Sequence, residues 1–198
     1  MTFVYKESKR ERRDGSGEMR LAGLDFETAN GCAGSICAVG CGILHDGEPG
    51  ELLERLVRPH RDLNWMDPFC QRVHGIGASE LEDADEFPAV WPELRELLLS
   101  ADCVVIHNAP FDLGHLRAVL DLYGLPPVRF PYVCSLNASR RALPELASHS
   151  LNSVAAYFGI RFQHHNALED ALTCAKILHE IGLTPRVRRK EFVFPAPE

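Results

Sequence analysis

The order of strand-like and helix-like runs constrains this chain most. Three strand patterns come first, with no helix between them. Residues 19–27 carry Leu21, Ala22, Leu24 and Phe26; residues 35–44 carry Ile36, Val39 and Ile43 among small residues; residues 51–58 carry Leu52, Leu53, Leu56 and Val57. A glycine loop at 31–34 and the turn cluster His45-Asp46-Gly47-Glu48-Pro49-Gly50 separate them. Strands joined this closely pair antiparallel. A polar connection follows at 59–86, with a short helix from Pro68 to His74. The pattern then alternates: helix 88–99, strand 102–107, a helix from Pro110 to about Tyr123, strand 128–134, helix 150–158. A last helix runs from an Asn166 N-cap, with Glu169 completing a capping box, to about Ile181. The expected fold is α/β: a mixed five-stranded sheet, three antiparallel strands then two parallel, flanked by helices.

A chain of 198 residues suits one domain with short ends. Residues 1–18, dense in charge and closing on Asp14-Gly15-Ser16-Gly17, are expected to be a disordered leader. Residues 19–182 form the domain, and 183–198 a C-terminal tail holding Arg186, Arg188, Arg189 and Lys190 beside Phe192 and Phe194. Residues 1–20 and 183–198 each carry +2, so a net charge of −7 leaves −11 on the body. That argues against nonspecific nucleic-acid binding through bulk charge but not against a nuclease that recruits cations to its site. The cysteines, at 32, 37, 41, 70, 103, 134 and 174, contain no C-x-x-C pair, which argues against a zinc site and a disulfide framework. They read as packed thiols of a reducing compartment. The N-terminus is charged where a signal peptide needs an apolar run, and no stretch approaches the ~20 apolar residues of a membrane span. The expected location is cytoplasmic, with no membrane partner.

Four acids bear on function. On a strand, Asp25 and Glu27 leave the same face, about 7 Å apart along the chain. Carboxylates side by side repel, and a divalent cation with a taste for oxygen ligands makes them tolerable. In the helix from Pro110 the apolar stripe is Leu113, Leu116, Val119, Leu120 and Tyr123, and Asp112 lies on it. In the last helix the stripe is Ala167, Ala171, Cys174, Leu178 and Ile181, and Asp170 lies on it. An acid turned toward a core costs several kcal/mol unless paired, and nearby lysines and arginines are few. The four acids are therefore expected to share a metal cluster. An unperturbed imidazole titrates near pH 6.5 and suits a general base, and His165 or His164 is expected to supply one at the cluster's edge; spacing alone does not separate the two. His60, His115, His149 and His179 read as surface or packing residues.

Three motifs in order then match a family. Leu24-Asp25-Phe26-Glu27-Thr28, His107-Asn108-Ala109-Pro110-Phe111-Asp112 and His165-Asn166-Ala167-Leu168-Glu169-Asp170 resemble the three motifs of the DEDDh 3′–5′ exonucleases. That superfamily includes the proofreading epsilon subunit of bacterial DNA polymerase III and ribonuclease T. The likeness covers about residues 19–182, and its third motif, H-x-A-x-x-D, selects His165 over His164. His74-Gly75-Ile76 also matches a substrate-side segment of polymerase-associated members. Ala29-Asn30 stands where the epsilon subunit has Thr-Gly, which points to another branch.

The resemblance implies a ribonuclease H-like fold and two divalent cations, Mg²⁺ or Mn²⁺, per active site. Asp25, Glu27 and Asp170 would hold the ion carrying the attacking water. Asp25 would bridge to the second ion, Asp112 would support that one, and His165 would take the proton. Phe26, Thr28, His74, Asn108 and Phe111 are the expected substrate-binding residues. The expected function is hydrolysis of single-stranded DNA or RNA 3′ ends to nucleoside 5′-monophosphates. Two other readings remain: an accessory subunit acting through a polymerase or repair protein that the tail recruits, and a catalytically silent nucleic-acid-binding module. The expected oligomeric state is monomer or homodimer.

Overall fold

Leu21, Ala22, Leu24 and Phe26 build β1 (Arg20–Thr28), the strand on which the sheet is centred. The computed structural model describes residues 19–184 and 187–195. The charged leader 1–18 lies outside the described residues, as do 185–186 and 196–198 of the tail. β2 (Ile36–His45) pairs antiparallel with β1, from Arg20 opposite His45 to Thr28 opposite Ile36, with an irregularity between Glu27 and Thr28. β3 (Glu48–Leu56) pairs antiparallel with β2 and forms an exposed edge. After α1 (Pro68–His74), a 3₁₀ turn at Ala78–Leu81 and α2 (Phe87–Ser100), β4 (Cys103–Ile106) pairs parallel with β1. α3 (Ala109–Leu122) leads to β5 (Val128–Cys134), parallel to β4. α4 (Ser135–Ala142), α5 (Leu151–Tyr157) and α6 (Ala167–Ile181) follow.

Two elements differ from the sequence expectation. The sheet has six strands among the described residues, in the order β3-β2-β1-β4-β5-β6. The sixth, β6 (Lys190–Phe194), lies in the stretch read as a tail and pairs antiparallel with β5. Alternation puts Phe192 and Phe194 on its buried side; Phe192 stacks on Phe130 at 5.0 Å, and the Arg117 guanidinium lies 4.9 Å over its ring. Five residues behind a basic run are too short for periodicity to separate from a tail. α4 was not expected, because Ser-Leu-Asn-Ala-Ser-Arg-Arg-Ala carries no apolar stripe; Leu136, Ala138 and tertiary packing hold it.

Alternation along β1 divides the core into two layers. Ala22, Leu24 and Phe26 face α2 and α3, against Phe87, Leu94, Leu98, Leu116 and Leu120. Leu21 faces the opposite way with Leu44, Val105 and Val133, toward α5 and α6. α6 approaches the sheet at glycines. A Cβ on Gly23 would sit 1.9 Å from the Ala171 carbonyl oxygen, and one on Gly40 would sit 2.1 Å from the Ala167 carbonyl. Gly40 is the partner of Asp25 across the ladder, and Gly23 precedes Asp25 by two residues. The glycines and Asp25 therefore share a face, and α6 lies on it. Among the described residues no helix is long and apolar enough to cross a membrane.

Candidate active site

β4 stops pairing with β1 at Gly23 opposite Val105. Beyond that point, among the described residues, Asp25, Phe26 and Glu27 have no strand on their β4 side. The chain leaves β4 through His107 and Asn108, whose φ of 63° is a left-handed conformation that asparagine tolerates. This turn starts α3 beside the uncovered edge and brings Asp112 there in the first helical turn. Asp112 Oδ1 accepts a hydrogen bond from the Phe26 backbone N–H at 3.2 Å. From the other face, α6 brings Asp170 in its own first turn. Its start is set by Asn166, whose side-chain oxygen accepts from Glu169 N at 2.9 Å. The Asn166 N–H bonds to the Gln163 carbonyl, and its side-chain amide donates to Glu54.

One carboxylate oxygen from each of Asp25, Glu27 and Asp170 lies within 4.8 Å of the others. Asp112, buried on the opposite face of the sheet, is not in that group; its charge acts on Asp25 and Glu27. Both helices turn their acid toward the sheet, as the stripes implied, but from opposite sides; Asp170 meets Asp25 and Glu27 there, while Asp112 sits behind Phe26 on the far face. Burial holds Asp25 well above the usual carboxylate range, and the charges of Asp112, Asp170 and Glu27 add to it. Burial, then Asp170 and Asp112, pushes Glu27 up to about 8. Burial also pushes Asp112 up to about 8, against the pull of the Phe26 N–H. Burial raises Asp170, opposed by His164. Among the described residues, the side chain that contacts these carboxylates is His164, whose Nδ1 lies 3.1 Å from Asp170. Buried, mutually repelling oxygen donors without a lysine or arginine counter-ion fit a divalent cation.

His165 sits at the edge of this cluster. Its backbone N–H donates to Asp170 Oδ2 at 3.0 Å, and φ is 65°. Its ring stacks on that of His164 at 3.8 Å, and a ring nitrogen of each histidine lies within 4.8 Å of an Asp170 oxygen. Burial lowers the His165 pKa, and His164 lowers it further. The structure thus brings both histidines to Asp170, with His164 in direct contact.

Two cavities flank the acids, and Phe26, Glu27 and His165 line both. One, about 470 Å³, is also lined by Thr28, His74, Phe111, Phe69 and Cys70. The other, about 680 Å³, is also lined by Asp25, Asp170, Asn108, Arg140, Ser148 and His149. Four of the five expected substrate-binding residues therefore share the first cavity, and Asn108 lies in the second. Phe111 is 46% exposed, its ring tilted over His115. His74 is held from both sides: Nδ1 accepts from Ile76 N at 3.0 Å, so Nε2–H donates to the Thr28 carbonyl at 3.2 Å. It fixes the backbone of Thr28. Burial brings His107 down to about 4, and its neutral ring donates from Nε2 to the His149 carbonyl and accepts from Ser135.

Among the cavity-lining residues, sequence reasoning missed Phe69, Arg140 and Ser148, and read His149 as a surface or packing residue. No local signal marks them. It also passed over Gly23 and Gly40, although a glycine inside a strand pattern is a sign of close backbone approach.

The exonuclease family model, of the ribonuclease T type, matches residues 23–178. This chain belongs to the DEDDh 3′–5′ exonuclease superfamily. A PolC-type DNA polymerase III from Staphylococcus haemolyticus (strain JCSC1435) is 31% identical to it over 147 residues, 70% of this chain and 10% of that protein. The chain therefore spans about a tenth of the length of the curated relatives it matches. The solved structure of Exonuclease X in complex with 5′ overhanging duplex DNA is 26% identical, with a TM-score of 0.65 over 81% of this chain and 90% of that one. The nuclease domain of 3′hExo, a DEDDh family member bound to rAMP, is 17% identical and shares the fold at a TM-score of 0.72, covering 88% and 98%. The exonuclease domain has the ribonuclease H-like α/β fold, with six strands where five were expected. The family is divalent-metal dependent, and the acidic cluster such an ion needs is present.

Proposed function

We propose that this chain is a two-metal-dependent exonuclease that removes nucleoside 5′-monophosphates from the 3′ end of single-stranded DNA or RNA. The observation that carries this reading is the meeting of Asp25, Glu27 and Asp170 within 4.8 Å in one cavity, with Glu27 also lining the neighbouring one. Asp25, Glu27, Asp170 and Asp112 would hold the ions. When bound, such a pair of cations supplies Lewis acidity to the entering and leaving oxygens of an in-line phosphoryl displacement. His165, neutral at pH 7 by its lowered pKa, accepts the proton of the attacking water. His164 holds Asp170, and the Phe26 N–H holds Asp112, each carboxylate keeping one orientation. The terminal nucleotide enters the cavity of Thr28 and Phe111, with Phe111 stacking on its base. His74 acts there through the Thr28 backbone. Asn108 faces the strand on the other side of the scissile bond.

A role beside a polymerase or repair protein is the second reading, favoured by the likeness to PolC-type polymerases. Ala29-Asn30 weighs against a close kinship with epsilon subunits. Phe192 and Phe194 are buried in the sheet, so a partner would need another anchor than this aromatic pair. Seven free thiols suit a cytoplasmic setting, and we infer a monomer or homodimer.

The test is digestion of matched single-stranded DNA and RNA oligonucleotides with Mg²⁺, with products sized over time. Stepwise shortening to 5′-monophosphates is expected, with chelator stopping it, Mn²⁺ restoring it and a 3′-phosphate resisting it. Internal cuts, or digestion in excess chelator, would overturn the proposal.

A further inference from the structure

α4 carries two adjacent arginines and turns them to different sides. Leu136 and Arg140, four residues apart on one helical face, line the 680 Å³ cavity of the acids. Asn137 and Arg141, on the neighbouring face, line a smaller cleft of about 140 Å³ that also takes in Arg188 and Lys190. Successive residues of a helix are rotated by about 100°, so the two arginines straddle one edge of α4. A strip of Arg140, Arg141, Arg188 and Lys190 thus leads from the acidic cluster to the start of β6, and all four are exposed. The neighbouring acid Glu191 is engaged elsewhere, by Arg129 at 2.5 Å. The chain as a whole carries −7, so a general excess of basic residues does not explain cations gathered here.

We propose that this strip is the track for the phosphates of the strand 5′ of the scissile bond. Arg140 meets the phosphate nearest the acids, and Arg141, Arg188 and Lys190 meet phosphates further upstream. The inference rests on the exonuclease reading for its direction. Acids at the reaction centre repel a polyanion, so a strand gripped only at its last nucleotide is held weakly. Cations along its path supply the sequence-independent, salt-sensitive part of binding. The substrate class that follows is a strand of several nucleotides, preferred over a dinucleotide.

The test compares wild type with the double variant Arg188→Glu/Lys190→Glu on a dinucleotide and on a single strand of about twelve nucleotides. In the wild type, KM for the long strand is expected to be lower and more salt-dependent than for the dinucleotide. Charge reversal is expected to raise KM for the long strand about tenfold or more and to flatten its log–log salt slope by about 1.4 units, ~0.7 for each lost phosphate contact. Dinucleotide turnover stays as it was and reports an intact fold. Equal KM on both lengths in wild type, or an unchanged slope in the variant, overturns the track. Fluorescence anisotropy of the long strand on metal-free protein reads the track without catalysis, so a chain that binds but does not cut would overturn the exonuclease reading alone. If the charge reversal prevents folding, Arg188→Gln/Lys190→Gln gives the same comparison with a smaller change.

Discussion

Gly23→Ala places a single methyl group under α6. The new Cβ would stand 1.9 Å from the Ala171 carbonyl oxygen and 2.5 Å from its carbon, where real contacts essentially never fall below 3.0 Å. The obstacle is helix backbone, which has no rotamer to change. Relief therefore requires α6 to lift from β1 by about 1 Å. Overpacking of this kind costs about 1–3 kcal/mol, which for a domain of this size lowers Tm by roughly 2–12 °C. Asp170 is the residue next to Ala171, so it moves with the helix. A misplacement of about 1 Å at a reacting centre costs on the order of 10² in rate. Thermal melts and turnover on a short oligonucleotide, both with Mg²⁺, are the assays. Gly114→Ala is the control: it lies in α3 with nothing within 4 Å of its added Cβ, and should gain about 0.5–1 kcal/mol. Wild-type Tm and turnover in Gly23→Ala would refute the claim that close approach of α6 sets the acid cluster.

Three further outcomes are expected. In metal-free protein Glu27 rises from 4.5 to about 8 and Asp112 from 3.8 to about 8. Both bind protons more tightly folded than unfolded, so stability is greatest below about pH 4 for these groups and falls as pH rises to about 8. Melts in chelator should show that fall, and Mg²⁺ should reverse it on the alkaline side; a Tm independent of Mg²⁺ at alkaline pH would count against the metal site. Asp25→Asn and Asp170→Asn should abolish hydrolysis and the Mg²⁺ response of Tm while leaving metal-free protein at least as stable, since one repelling charge is gone. His165→Ala should cost on the order of 10²–10⁴ in rate and flatten the acidic limb of the pH profile, whereas His164→Ala should keep that limb; the reverse pattern would make His164 the base.

The sequence alone determined the local chemistry of this chain. Asp25 and Glu27 alternate along a strand, Pro68 and Pro110 open helices, and Asn166 caps the last one, each through interactions spanning only a few residues. The local periods put Asp112 and Asp170 on the buried stripes of their helices, whereas the choice of His165 over His164 came from the family resemblance and not from spacing. Only the tertiary structure decided that α3 and α6 bring Asp112 and Asp170 to β1 from opposite faces, that His164 grips Asp170, and that Arg140 lines the same cavity as Asp25 and Asp170. It also turned Lys190–Phe194 into a strand, because β5 offered an unpaired edge and Phe130 a surface for Phe192. The reason is range. A period records which way a side chain leaves its own element, whereas convergence depends on where β4 ends and how closely α6 can lie on Gly23 and Gly40, which are contacts between residues distant in the chain.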